Sequence, residues 1–165
     1  LDQAELSCYR ALDLEPTSSG VWNNLGTISR LRQQPERAIE CYQKAIALDA
    51  ENAEALHNLG GLYNEQGNKD AALPLLQQAI RLRPTYAEAY NTLGSLHWES
   101  GRFVDAEASY RRAIQLRPDY LEAYNNLANA LYSLGEIDQA ETLYRKALLV
   151  KPDSAETQTN AATRK

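Results

Sequence analysis

The chain has 165 residues, 44% hydrophobic and 24% charged, which is the composition of an ordinary folded domain and excludes a fibrous or disordered class. A net charge of −5 argues against a phosphate-binding surface, because nucleic-acid affinity rests on concentrated Lys and Arg. No apolar run reaches the roughly 20 residues that span a bilayer, so neither nucleic acid nor direct membrane insertion is expected.

A register of 34 residues organises the chain. Pro16, Pro84, Pro118 and Pro152 keep it, as do Gly26, Gly60, Gly94 and Ala128, and the alanines Ala4, Ala38, Ala72, Ala106 and Ala140. Self-similarity at this step marks a stack of supersecondary units, each unable to bury its apolar face alone, so function is expected on a repeated surface.

In chain order, residues 1–16 read as half a repeat, one B helix at about 2–14. Four full repeats follow over 17–52, 53–86, 87–120 and 121–154, with A and B helices at about 19–32/36–49, 53–66/70–82, 87–100/104–116 and 121–134/138–150. In the third of them Ala89, Tyr90, Leu93, Gly94 and His97 form the stripe of A, and Ala106, Tyr110, Ala113 and Ile114 that of B. Gly67, Gly101 and Gly135 lie between the two, where a left-handed residue ends a helix and turns the chain. The small residues at Gly26, Gly60, Gly94 and Ala128 let a partner helix approach, with Tyr42, Tyr110 and Tyr144 opposite them. Two departures stand out. Ala50 replaces the recurrent proline, which predicts a longer or more mobile junction, and Pro74 lies inside a B helix, which predicts a local kink. Residues 155–165 are polar and read as a partial repeat or a solvating end helix. The chain starts at Leu1 midway through a repeat, and it is expected to be an excerpt of a longer protein.

Cys8 and Cys41 fall one residue short of a full period apart, on equivalent helices. Stacked helices lie about 10 Å apart, wider than a disulfide tolerates, so both are expected to be free thiols. That usage points to a reducing compartment such as the cytoplasm.

The series Trp22, Leu25, Gly26, Ala38, Tyr42, Ala45 and the series Tyr90, Leu93, Gly94, Ala106, Tyr110, Ala113, Pro118 resemble the tetratricopeptide repeat family over nearly all of residues 1–154. The resemblance implies an all-α fold, a right-handed α-solenoid of tandem hairpins. Its inner wall of A helices usually holds a peptide or partner protein.

Helical geometry opposite the Tyr90 stripe places Glu88, Asn91, Ser95, Trp98 and Glu99 on that wall. Equivalent positions carry Asn23, Thr27, Arg30 and Leu31; Glu54, His57, Gly61, Asn64 and Glu65; and Glu122, Asn125, Asn129, Tyr132 and Ser133. Asn24, Asn58 and Asn126 recur one residue further round, with Thr92 breaking the series. A file of asparagines can bond an extended peptide's main chain with little regard for its sequence, or it can bond a neighbouring repeat and stiffen the stack. The first use is similar to the asparagine ladder in the repeat arm of protein O-linked N-acetylglucosamine transferases. Trp98 and Tyr132 serve either as exposed aromatic anchors or as packing over neighbouring A helices, while Trp22 lies on the core stripe. The wall lacks the Lys and Arg clamp with which similar repeat proteins hold acidic chaperone tails. Glu54, Glu88 and Glu122 would repel a carboxylate, so a neutral or basic segment is expected.

No catalytic set is visible. His57 and His97 lie on separate repeats with no metal-ligand spacing, and the three glutamates, about 10 Å apart by the stacking distance, are too far apart for paired acid/base work. No cofactor or metal is called for. The reading is a non-enzymatic scaffold with a peptide-binding groove on Asn23, Asn24, His57, Asn58, Glu88, Asn91, Trp98, Glu122, Asn125, Asn126, Asn129 and Tyr132. Two others stand beside it. One is the substrate-recognition arm of a larger enzyme such as a glycosyltransferase, and the other an architectural solenoid that self-associates end to end.

Overall fold

A computed structural model describes residues 1–150, so the reading of residues 155–165 lies outside the described residues. Among these, all regular structure is helical. The helices are α1 (Asp2–Leu14), α2 (Ser19–Leu31), α3 (Pro35–Leu48), α4 (Ala53–Glu65), α5 (Lys69–Leu82), α6 (Ala87–Glu99), α7 (Phe103–Leu116), α8 (Leu121–Ser133) and α9 (Ile137–Val150). Every end falls within one residue of the span expected from periodicity. The chain forms two compact units, Leu1–Pro84 and Thr85–Lys165, so α1–α5 belong to the first and α6–α9 to the second.

In each unit A and B helices pair as hairpins, α2 with α3 and α4 with α5, then α6 with α7 and α8 with α9. Each first hairpin also meets the next through its B helix, α3 on α4 and α7 on α8, and through its A helix, α2 on α4 and α6 on α8. An A helix is therefore covered on two sides.

The turns follow from backbone chemistry. Gly67, Gly101 and Gly135 adopt φ of 76°, 73° and 83°. The amide after each bonds back to the helix it terminates, as in Arg102 N to His97 O at 2.9 Å, which satisfies a carbonyl left over at the helix end. In the first hairpin the equivalent residue is Gln33, at φ 59°, a conformation that costs a side-chain-bearing residue about 1 kcal/mol.

Between paired helices the fit is tight. A Cβ added at Gly26 would lie 2.5 Å from the Tyr42 ring, and at Gly94 2.6 Å from Tyr110. Ala38, Ala72, Ala106 and Ala140 are fully buried beneath their A helices. Ala4, at the same position of α1, is exposed, and α1 buries no residue at all. Its Glu5 bridges Arg32 at 2.8 Å and Arg37 at 2.6 Å, beside half-buried Cys8, Ala11 and Leu12.

The junction around Ala50 is no longer than its counterparts, four residues from Asp49 to Asn52 as from Arg117 to Tyr120. Side chains take the place of the missing proline. Asn52 caps α4 by accepting from Ala55 N at 2.9 Å and donates to Ser19 Oγ at 2.7 Å. α5 is one continuous helix through Pro74, whose ring lies on the exposed face. Both cysteines are free thiols, with Cys41 buried and Cys8 half-buried. No helix among the described residues is long and apolar enough to cross a membrane.

Candidate functional site

Asn23, Asn91 and Asn125 are not on an open wall. Only 5%, 3% and 3% exposed, all three are buried, Asn23 and Asn91 because the face opposite the hairpin stripe is where α2 meets α4 and α6 meets α8. Asn58 Nδ2 donates to Asn23 Oδ1 at 2.9 Å, and Asn126 Nδ2 to Asn91 Oδ1 at 3.0 Å. Asn91 in turn donates to Glu122 Oε1 at 2.9 Å. Of the two uses open to the asparagines, the bond between repeats is the one this geometry supports for these pairs. A buried amide left unpaired would cost about 1–3 kcal/mol, so the pairs align one A helix on the next. Asn24 is exposed on α2, which has no A helix before it among the described residues. His57, at the position of Asn91 one repeat earlier, is half-buried.

A second set of bonds crosses three of the four hairpins. Tyr42 Oη donates to Thr27 Oγ1 at 3.3 Å, Tyr110 Oη to Ser95 Oγ at 3.2 Å, and Tyr144 Oη to Asn129 Oδ1 at 2.6 Å. A tyrosine from the B helix thus fills the core with its ring and delivers its hydroxyl to the A-helix wall. In the remaining hairpin Leu76 replaces the tyrosine and Gly61 replaces its partner, so donor and acceptor disappear together. This paired change is visible in the sequence and marks these residues as one device.

In the second unit these elements leave an open recess of about 170 Å³, lined by Ser95, Trp98, Glu99, Tyr110, Asn126, Asn129 and Ala130. Trp98 and Tyr132 both rest one side against the core of Tyr110, Leu127, Leu131 and Tyr144 while remaining half-exposed. The recess therefore joins an aromatic wall to amide and hydroxyl groups within one concavity, the general composition of a site that orients a ligand through a few polar groups.

The acidic character of the wall is smaller than the residue types suggest. Glu88 is ion-paired with Arg117, and Glu54 with Arg83 at 3.3 Å. The Arg117 guanidinium also stacks over the Tyr120 ring at 4.7 Å. Glu122 accepts from Asn91, and Glu99 is the carboxylate that lines the recess. His97 is buried on the core stripe as expected, and burial lowers its pKa. No group of three His, Cys, Asp or Glu able to hold a metal occurs among the described residues.

Stacked hairpins recur at every period, and inter-repeat amide bonds and glycine-to-tyrosine packing at every second one, and comparison with known proteins gives the same answer. Family profiles for the tetratricopeptide repeat match residues 17–85, 65–108 and 97–161. A comparison with curated protein sequences gives no match. Among solved structures the chain is similar to MamA, at 30% identity and a TM-score of 0.77 over 94% of this chain and 91% of that one. It is also similar to TTC0263, a TPR protein of Thermus thermophilus, at 25% identity and 0.84 over 99% and 89%. YrrB, a TPR protein described as having an unusual peptide-binding site, aligns at 20% identity and 0.73 over 96% and 82%, a likeness of fold alone. By its profiles, its all-α solenoid class and its repeated packing, this chain belongs to the tetratricopeptide repeat family.

Proposed function

We propose that this interaction scaffold takes an extended segment of a partner protein on the A-helix wall of the second unit, in the recess between α6 and α8. The observation that carries the reading is the recess itself, where the half-exposed face of Trp98 stands beside Asn126, Asn129 and Ser95. Amides and hydroxyls suit a peptide main chain, and an aromatic face suits an apolar or proline side chain. Tyr132 extends the aromatic surface, and Glu99 favours a neutral or basic segment. Asn23 and Asn91 serve the site indirectly by holding the A helices in register.

The first unit supplies the control. Arg30 and Glu65, two periods before Trp98 and Ser133, form an ion pair at 2.8 Å across the corresponding place. Transplanting that pair by Trp98→Arg with Ser133→Glu should occupy the recess while keeping the hairpins. Peptides selected from a displayed random library on the native chain are expected to lose about tenfold or more in affinity by calorimetry. Undiminished binding by a variant of unchanged melting temperature removes the recess from consideration.

A further inference from the structure

The turn side of the second unit carries a surface that the repeat does not require. Phe103, Val104, Leu134 and Ile137 sit at the turns joining α6 to α7 and α8 to α9, and they are 39%, 81%, 43% and 44% exposed. Two periods earlier the same positions hold Pro35, Glu36, Gln66 and Lys69. Those hairpins fold the same way with mostly polar side chains there, so the apolar residues of the second unit are not needed to close a turn. Phe103 is backed from within by Trp98, ring centroids 4.6 Å apart at 55°.

Charge around the edge differs as well. Within the two turns themselves Glu99, Asp105, Glu136 and Asp138 outnumber one cation, Arg102, which is committed to Asp105 at 2.8 Å, while Arg111 and Lys146 share a recess with Asp138 further along the B helices. The first unit balances Glu36, Glu65 and Asp70 with Arg32, Arg37 and Lys69. Exposed apolar side chains with a mainly acidic rim have the composition of an interface that selects its partner.

We propose that this turn edge is a docking site for an amphipathic segment of another protein, one that lays apolar side chains on Val104, Ile137, Phe103 and Leu134 and surrounds them with Lys or Arg. The carboxylate rim identifies the partner's charge. A second copy of this chain is the poorer occupant, since a two-fold contact would set the same carboxylates against themselves.

The test uses the intact chain and two synthetic amphipathic helices, one of Leu and Lys, the other of Leu and Glu. The Leu/Lys peptide is expected to bind, with amide-exchange protection confined to residues 99–105 and 133–138. Substituting Val104→Glu and Ile137→Lys copies the first unit, leaves net charge unchanged, and should weaken binding about tenfold or more at an unaltered melting temperature. Equal binding of both peptides, equal binding by native and substituted chains, or protection located elsewhere would overturn the proposal. So would a native dimer that the double substitution converts to monomer, because the edge would then be covered by a second copy.

Discussion

Moving the first unit forward by two periods lays α2–α5 onto α6–α9, and the residues divide cleanly into those that survive the shift and those that do not. The bond from Asn58 to Asn23 becomes that from Asn126 to Asn91, at 2.9 and 3.0 Å. The bond from Tyr42 to Thr27 becomes that from Tyr110 to Ser95. Gly26 against Tyr42 becomes Gly94 against Tyr110. Inside the stack, Leu76 and Gly61 give way to Tyr144 and Asn129, and Ser29 to His97; the other changes lie on the surface. An Arg30–Glu65 ion pair gives way to Trp98 and Ser133 beside a recess, and a charge-balanced turn edge gives way to an apolar edge rimmed by carboxylates. The shared set builds a hairpin stack, and the differing surface residues are available to recognise a partner. Each unit is thus a control for the other.

The shared set can be broken most severely at its tyrosines. Tyr110→Ala should destabilise the second unit by about 3–5 kcal/mol in chemical denaturation, and Tyr42→Ala should do the same to the first, because each empties a fully packed site opposite a glycine. Matching losses would uphold the equivalence of the units. Next in size is Asn91→Ala, which strands the Asn126 amide and also removes the bond to Glu122. A loss of about 1–3 kcal/mol is expected, larger than that of Asn23→Ala, which strands Asn58. Equal or negligible losses would show that the amide pairs do not align the helices.

At the turns the expected change has the opposite sign. Gln33→Gly should stabilise the first unit by about 0.5–1 kcal/mol, since it relieves a positive φ that the other three turns give to glycine. Smaller still is the exchange of Arg30→Trp with Glu65→Ser, which should alter stability by no more than about 0.5 kcal/mol because both ionised groups are about half exposed. If it opens a recess, the exchange should confer on the first unit some affinity for peptides selected on the second. The last contrast is with pH. Burial lowers the His97 pKa in the folded chain below the ordinary value of 6.5, whereas its counterpart in the first unit is Ser29. Above that value neither state is protonated and the effect vanishes. As pH falls below it the unfolded chain takes up the proton first, so the second unit loses stability. Replacing His97 by Gln should flatten that slope in denaturation measured between neutral and mildly acidic pH.

Much of this architecture is legible in the order of the residues. The helices, their ends to within a residue, the turn glycines and the packing of Tyr42 and Tyr110 on glycine follow from period and spacing, because they depend on neighbours along the chain or one helix away. The site is less fully legible. A wheel drawn for one helix assigns it one buried face, and on that view Asn23, Asn91 and Asn125 face a ligand. Contact of α2 with α4 and of α6 with α8 buries that second face and turns Asn23 and Asn91 into internal braces, and Asn125 is buried too. The Glu88 and Glu54 carboxylates likewise look free on a single helix, and it is α7 and α5 that bring Arg117 and Arg83 against them.

Alone, then, the amino-acid order determined a stack of hairpins, since repeated glycine, alanine and tyrosine positions leave the backbone few other ways to bury its apolar atoms. Only the assembled stack decided which polar side chains are consumed between repeats and which remain to meet another molecule, because that choice depends on how one A helix settles on the next. Trp98, Asn126, Asn129 and the edge from Phe103 to Ile137 acquire their meaning from that settling.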